Sequence, residues 1–169
     1  AETRGGVIRR SCLEAVAEAR RLADTRAGKV VSVLIGEAQA AENQDDDAQG
    51  HDLLVASLAS YGADKVVRFT AAALASYSSE SYGRAIAKAV ELETPDALLI
   101  PYTAMGKDLA PRVAFLTAGG LVSDCSSLEF VDDRLVAKRA QYSGKMISTF
   151  AWSTALQIAT LRPNVFALG

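Results

Sequence analysis

Three consecutive residues, Ser123, Asp124 and Cys125, carry the side chains best suited to chemistry in this chain. A cysteine thiolate is a strong nucleophile when a neighbouring base, usually a histidine, activates it. The chain has a single histidine, His51, and nothing in the sequence links it to Cys125. We therefore expect no catalytic site here. We expect Asp124 to accept backbone N–H bonds or to pair with an arginine.

The pair Gly106-Lys107 follows a predicted strand and precedes a predicted helix, which is where a phosphate-binding loop would lie. The N-terminus of a helix attracts anions because its free N–H groups point outward. However, this segment lacks the spaced glycine and the Ser or Thr of a GxxxxGK[ST] loop, and the chain contains no GxGxxG. A plain helix entry is the better interpretation, and nucleotide binding is the weaker alternative.

The sequence favours neither a metal site nor a disulfide. The run Asp45-Asp46-Asp47 lacks the glycine and the final glutamate of an EF-hand loop, so we expect a solvated loop. One histidine and two distant cysteines give no zinc-binding spacing. The same two cysteines are too few for a disulfide framework and indicate a reducing compartment. Cys12 lies on an apolar helical stripe and is expected to be a small core residue.

A set of charged and aromatic residues in the C-terminal third forms the remaining candidate site: Asp124, Arg139, Tyr142, Lys145 and Arg162. Tyr142-Ser143-Gly144 predicts a turn, because Gly144 is free to adopt a positive φ. One interpretation is a hairpin with ordinary surface cations. The other is a protein interface, since arginine and tyrosine are enriched where proteins meet. The sequence leaves both interpretations open.

Strand and helix patterns alternate through the first 117 residues. Apolar runs at 30–35, 65–69 and 97–100 predict buried strands. Apolar residues at helical spacing predict helices that begin near Cys12, Leu54 and Tyr82, and a fourth helix follows the third strand. Such alternation is typical of βαβ units with right-handed crossovers.

Two helix starts are predicted from capping residues. Ser11 and Glu14 have the spacing of a capping box, and Glu14, Glu18 and Arg21 are expected on the solvent side of the first helix. Asp108 is expected to cap the fourth helix, which would place Pro111 in its first turn, where a missing N–H costs little.

The pattern changes after Gly120, where short strands at 128–131, 134–138, 146–152 and 156–161 are predicted and Asp132-Asp133 marks a turn. The whole chain, 1–169, is predicted to be one α/β domain of three layers. Its sheet would be mostly parallel with flanking helices, and extra antiparallel strands would lie in the C-terminal third.

The bulk composition narrows the function classes. Half of the 169 residues are hydrophobic and 22% are charged, as in an ordinary globular protein. The net charge of −2 gives no indication of a nucleic-acid surface. No apolar run approaches the roughly 20 residues needed to span a bilayer, so membrane insertion is not expected.

A family resemblance rests on four segments, namely Gly106–Ala114 (GKDLAPRVA), Gly119–Cys125 (GGLVSDC), Arg139–Lys145 (RAQYSGK) and Leu161–Phe166 (LRPNVF). In this order and spacing they resemble the N-terminal domain of the electron transfer flavoprotein alpha subunit. The resemblance implies a Rossmann-like fold of the adenine nucleotide alpha hydrolase type. In that family a buried strand precedes the segment that matches Ala1-Glu2, and these 169 residues do not include it. Either the sequence is truncated at that strand or the domain manages without it.

The same resemblance implies a scaffold or docking domain of an electron carrier, with no catalytic site of its own. The family forms a heterodimer with a beta subunit. FAD is bound mainly by a following domain, so no cofactor is expected within these 169 residues. Electrons would pass from dehydrogenases, such as those acting on acyl-CoA in fatty acid oxidation, to a quinone oxidoreductase. The location would be the bacterial cytoplasm or the mitochondrial matrix.

A second hypothesis is a free-standing domain that binds an adenine nucleotide. Doubly wound sheets commonly bind ligands at the C-terminal ends of their strands, and here Gly36 and residues 103–107 would occupy that position. The absence of a phosphate loop counts against it.

Overall fold

A computed structural model describes residues 1–4, 6–36 and 53–168 of the chain. The elements occur in the order β1 (Thr3–Arg4), β2 (Val7–Ile8), α1 (Arg10–Asp24), β3 (Val31–Gly36), α2 (residues 53–60), β4 (Lys65–Thr70), a 3₁₀ turn (Ala72–Leu74), α3 (Ser79–Glu93), β5 (Ala97–Pro101), α4 (Ala104–Thr117), β6 (Gly120–Cys125), β7 (Ser127–Val131), β8 (Arg134–Gln141), β9 (Met146–Ala151) and β10 (Gln157–Leu161). The strands and helices predicted within these ranges are confirmed.

The parallel strands lie in two hydrogen-bonded sheets. One pairs β3 with β4, and the other has the order β5-β10-β6. All five residues of β10 are buried, because this strand lies between β5 and β6 and both faces of the sheet are covered. The sequence did not distinguish β10 from the antiparallel strands before it. Those strands, β7, β8 and β9, form a separate antiparallel sheet, so the predicted α/β class with extra antiparallel strands is confirmed.

The side chains of β10 alternate between two cores, which shows the three layers. Ala159 belongs to a core shared with Leu22 of α1 and with the antiparallel sheet. Its neighbour Ile158 belongs to a core shared with Ile86 of α3 and Val113 of α4. Since successive residues of a strand point to opposite faces, α1 and the antiparallel sheet cover one face and the α3–α4 pair covers the other.

The first helix does not begin as predicted. It starts at Arg10, its N-cap is Arg9, and no side chain caps it, so the expected capping box at Ser11 and Glu14 is wrong. Glu14 is 2% exposed and accepts a hydrogen bond from the backbone N–H of Asn164 (2.8 Å), near the end of the chain. The capping residue that was expected therefore holds the C-terminal segment in place.

The solvent side predicted for α1 is also corrected. Glu18 is 6% exposed, and its carboxylate accepts two hydrogen bonds from Arg21, at 2.7 and 2.6 Å. Arg21 also donates to the carbonyl oxygen of Leu128 in β7 (2.6 Å). The antiparallel sheet covers a second side of the helix and buries Glu18, whose charge is balanced by Arg21. The Arg21 side chain is 53% exposed, so the predicted solvent side is wrong for the two glutamates and confirmed for Arg21.

The fourth helix begins five residues earlier than predicted. Its N-cap is Thr103, whose hydroxyl oxygen accepts the N–H of Gly106 (3.0 Å). Asp108 therefore does not cap the helix, and its carboxylate instead accepts the Tyr77 hydroxyl (2.6 Å). Pro111 lies in the helix interior rather than in the first turn. It lies on an exposed face together with Lys107, whose carbonyl oxygen can bond to water in place of the missing N–H.

Candidate docking surface

Two of the predicted interface residues form an ion pair where the parallel and antiparallel sheets meet. Asp124 lies near the end of β6 and Arg162 directly follows β10. The guanidinium donates to both carboxylate oxygens, with Nε to Oδ1 at 2.9 Å and Nη2 to Oδ2 at 2.7 Å. Nη2 also lies 3.4 Å from the carbonyl oxygen of Ala140 in β8. The expectation that Asp124 pairs with an arginine is confirmed.

The backbone around this pair is shaped by an irregularity in the parallel sheet. The register of β10 against β6 shifts between Ala159 and Leu161. Beside this shift, Asp124 has a φ of 60°, and its N–H donates to the Thr160 hydroxyl (2.9 Å). Aspartate is among the few residues that tolerate such a φ. Its hydrogen bonds raise the pKa of the Arg162 guanidinium and so stabilise the charged form.

Arg139 of β8 is held by two neighbours. Its guanidinium carbon lies 4.9 Å from the centre of the Phe150 ring in β9, a cation–π distance. Its Nη1 donates to the carbonyl oxygen of Ser123 (3.3 Å). Arg139 therefore connects three strands, and its charge lies close to the Asp124–Arg162 pair.

Tyr142 and Lys145 lie in the turn between β8 and β9, apart from the ion pair. The turn is confirmed, with φ values of 49° at Tyr142, 56° at Ser143 and 86° at Gly144. The Gly144 N–H closes it on the carbonyl oxygen of Gln141 (3.0 Å). Tyr142 is 75% exposed, so its ring is available to a partner. Of the five predicted residues, three cluster at the junction of the sheets and two lie at the hairpin tip.

The outer face of the antiparallel sheet adds apolar residues that the sequence analysis missed. Ile147 of β9 is 67% exposed and Val131 of β7 is 48% exposed. The strand registers place both side chains on the face opposite the buried Leu135. No local signal marked these residues, because β9 (MISTFA) is uncharged at every position and such a strand is first expected to be buried. We refer to the β8–β9 hairpin and this face as the hairpin surface.

The N-terminus of α4, considered as a phosphate site, is filled by the chain's own side chains. The Thr103 hydroxyl donates to the Glu2 carboxylate and accepts the N–H of Gly106. Glu2 also pairs with Arg9 at 3.1 Å. A Cβ on Gly106 would overlap the carbonyl oxygen of Pro101. Gly106 therefore serves close packing, and the Glu2 carboxylate lies beside the start of the helix, bonded to the N-cap residue.

Cys125 is fully buried, and its thiol lies 3.5 Å from the carbonyl oxygen of Val122. Burial raises the pKa of the Cys125 thiol to about 12, which opposes formation of a nucleophilic thiolate. Cys12 is a buried core residue, as predicted, and burial likewise raises the pKa of its thiol.

Trp152 is 5% exposed and donates to the carbonyl oxygen of Gly120 (2.8 Å), so it is a core residue.

His51 and Asp45–Asp47 lie outside the described residues. In the part of the chain that the structure describes, no group of three or more His, Cys, Asp or Glu side chains could hold a metal ion. Within the same ranges, no helix has both the length and the apolar character needed to cross a membrane.

Comparison with known proteins yields several relatives. The chain is 34% identical over 163 residues to the electron transfer flavoprotein subunit alpha of Bacillus subtilis, which covers 96% of the chain and 46% of the relative. It is 34% identical over 169 residues to the protein of the same name from Clostridium acetobutylicum, covering 98% and 47%. It is 32% identical over 130 residues to the acryloyl-CoA reductase electron transfer subunit beta of Anaerotignum propionicum, covering 76% and 32%.

The chain thus spans about half the length of the first two of these relatives. The family profile described as the electron transfer flavoprotein domain matches residues 1–168, which is nearly the whole chain. The resemblance seen in the four sequence segments is confirmed: the chain belongs to the electron transfer flavoprotein domain family.

Proposed function

We propose that this chain is the docking domain of an electron transfer flavoprotein alpha subunit. The complete protein would carry electrons through FAD from dehydrogenases, among them those acting on acyl-CoA, to a quinone oxidoreductase. This domain would perform no redox step itself and would bind the beta subunit. If the source is bacterial, as for the relatives named above, the protein would work in the cytoplasm.

The observation that carries the proposal is the match of the family profile to residues 1–168, in a chain that equals about half of an alpha subunit. The hairpin surface supports a docking role, because the side chains of Tyr142 and Ile147 are exposed on it, and the sheet behind it is fixed by Arg139 and Arg162. Aromatic residues and arginine are enriched at the centres of protein interfaces.

We expect the N-terminus of α4 not to bind the FAD of the complete protein. A flavin pyrophosphate would fit the free N–H groups at such a helix start. Here the Gly106 N–H is bonded to Thr103, and Glu2 holds the Thr103 hydroxyl. The carboxylate of Glu2 would also repel a phosphate. We therefore assign no flavin contact to this end of α4.

The test is a calorimetric titration of the chain with the beta subunit from the same source. We expect a complex of 1:1 stoichiometry with a Kd of about a micromolar or tighter, the range for a specific interface. Replacing Tyr142 and Lys145 together by alanine should weaken the complex, whereas Arg84→Ala and Lys88→Ala together on α3 should not. Arg162 is unsuitable for this purpose because its ion pair holds the fold. Absence of binding at tens of micromolar would contradict the proposal.

A further inference from the structure

β9 is an edge strand with one free side. It pairs with β8 along its full length, from Met146 opposite Gln141 to Ala151 opposite Val136. No other strand of the described residues pairs with it, and none of their backbone groups outside β8 bonds to it. In an antiparallel pair, alternate N–H and C=O groups point away from the partner strand. The free side of β9 therefore presents a row of unused donors and acceptors.

This edge lacks the features that usually protect a free strand. Charged side chains and prolines on edge strands prevent unwanted pairing. The edge strand β4 carries Lys65 and Arg68, and the edge strand β7 carries Glu129. In contrast, β9 has six uncharged residues and no proline. Within the antiparallel sheet, the β7 edge therefore carries a charge and the β9 edge carries none.

The side chains beside the open edge are apolar. Met146 is 44% exposed and Ile147 is 67% exposed, on opposite faces of β9. Val131 continues the exposed apolar area on the outer face. A strand added to β9 would extend the sheet and bury apolar side chains of its own against these residues.

The charge of the β8–β9 hairpin indicates what kind of segment could pair with β9. Residues 134–151 contain four basic residues, Arg134, Lys138, Arg139 and Lys145, and no acidic residue, although the whole chain has a net charge of −2. Lys138 is paired with Glu129 of β7 at 3.0 Å. The side chains of Arg134 and Lys145 form no ion pair with any described residue. A second copy of this hairpin would be repelled, whereas an acidic segment would be attracted.

We propose that the free edge of β9 accepts an extended segment of the partner protein, which pairs with it as an additional strand and carries acidic residues near Arg134 and Lys145. Backbone hydrogen bonds would supply much of the affinity, and the exposed apolar and basic side chains would supply specificity. This inference rests on the proposed function, because it states how the beta subunit docks.

The decisive measurement is hydrogen exchange by NMR, residue by residue along β9, in the free chain and in its complex with the beta subunit. In the free chain, only the amides bonded to β8 should be protected. In the complex, the alternate amides on the free side should also slow by about a hundredfold or more. A contact made through side chains alone would not produce this alternation.

The outcomes separate the two proposals. If the complex forms and the free-side amides of β9 exchange as before, strand addition is wrong and the docking function stands. If no complex forms with the beta subunit, both are wrong. New protection at alternate β9 amides supports both.

A pair of charge-reversal variants tests the chemistry of the segment. Arg134→Glu and Lys145→Glu together should weaken the complex about tenfold and reduce its salt dependence, because an acidic partner would then be repelled. The matched control is Arg84→Glu and Lys88→Glu on α3, which makes the same change in charge on the other layer of the fold. Equal effects of the two double variants would overturn the assignment of an acidic segment to this edge.

Discussion

Arg162 and Asp124 join the last parallel strand to β6 through two hydrogen bonds of 2.9 and 2.7 Å. The Arg162 backbone N–H also donates to the carbonyl oxygen of Cys125 (2.9 Å). Both the main chain and the side chain of Arg162 therefore hold the chain where it leaves β10. The pair is partly buried, with exposed side-chain fractions of 34% and 25%. Its contribution to stability should therefore exceed that of an ordinary surface ion pair.

Arg162→Ala should lower the free energy of unfolding by about 1–2 kcal/mol, because it leaves the half-buried carboxylate of Asp124 without its partner. The matched variant is Arg84→Ala, which breaks the Arg84–Glu80 pair of 2.7 Å on the exposed face of α3. That change should cost about 0.5 kcal/mol or less. Urea denaturation of both variants measures the difference, and equal losses would show that the Arg162–Asp124 pair is not special.

The two helical glycines Gly106 and Gly83 should respond to alanine with opposite effects. Alanine in a helix interior is normally more favourable than glycine by about 1 kcal/mol. At Gly83 a new Cβ would lie 3.0 Å from the flexible Arg112 side chain, so Gly83→Ala should be neutral or mildly stabilising. At Gly106 the Cβ would overlap the carbonyl oxygen of Pro101, so Gly106→Ala should destabilise the fold by more than about 3 kcal/mol. Thermal unfolding of the two variants gives the comparison, and a stable Gly106→Ala protein would refute this packing.

Cys125 should make the protein less stable at alkaline pH. Its folded pKa, about 12, is raised above the unfolded value of about 8.5, so the folded state keeps the proton more tightly. The stabilisation is complete below about pH 8.5 and is lost as pH rises toward 12, by up to about 1.4 kcal/mol per pH unit. Cys125→Ala should therefore show a shallower decline in unfolding free energy between pH 8.5 and 10.5 than the unmodified chain. Parallel declines would mean that the thiol ionises equally in both states.

The turn between β7 and β8 offers a stabilising substitution. Asp132 and Asp133 have φ values of 48° and 64°, the signs required at both central residues of a type I′ hairpin turn. Glycine adopts such a φ without steric strain, so Asp133→Gly should raise the free energy of unfolding by about 0.5 kcal/mol. The loss of the exposed contact between Asp133 and Arg26, 3.3 Å, should matter little. Asp133→Val is the control and should destabilise by about 1 kcal/mol, because a β-branched residue resists this φ.

The sequence predicted the strands and helices well where a single pattern decided them. The apolar run before Gly36 became β3, and the paired aspartates 132 and 133 became a turn, because each signal is local. The parallel pairing of β10 could not be read in the same way. Its five residues look like those of any buried strand, and only the tertiary fold places them between β5 and β6.

The capping predictions failed for a related reason. Asp108 and Thr103 are both good N-cap residues, and no local pattern favours the earlier one. Glu14 and Glu18 have the spacing of a solvent-facing stripe, but α1 is covered on two sides, and the covering residues come from far along the chain. Local patterns cannot show contacts of this kind.

The candidate site was predictable in part. The pattern of charged and aromatic residues predicted Asp124, Arg139 and Arg162 as site residues, and the structure brings these three together. The exposed apolar residues Ile147 and Val131 were missed because an apolar strand is first expected to be buried. Only the strand registers show that their side chains point away from the core.

The bond between Thr103 and Glu2 has a consequence for any dissolved anion that approaches α4. A carboxylate tethered on the same chain acts as a competitor with an effective concentration of about a millimolar or more. A phosphate compound in solution would have to displace this carboxylate in order to bind. A negative charge fixed on Glu2 thus disfavours anions at this end of α4.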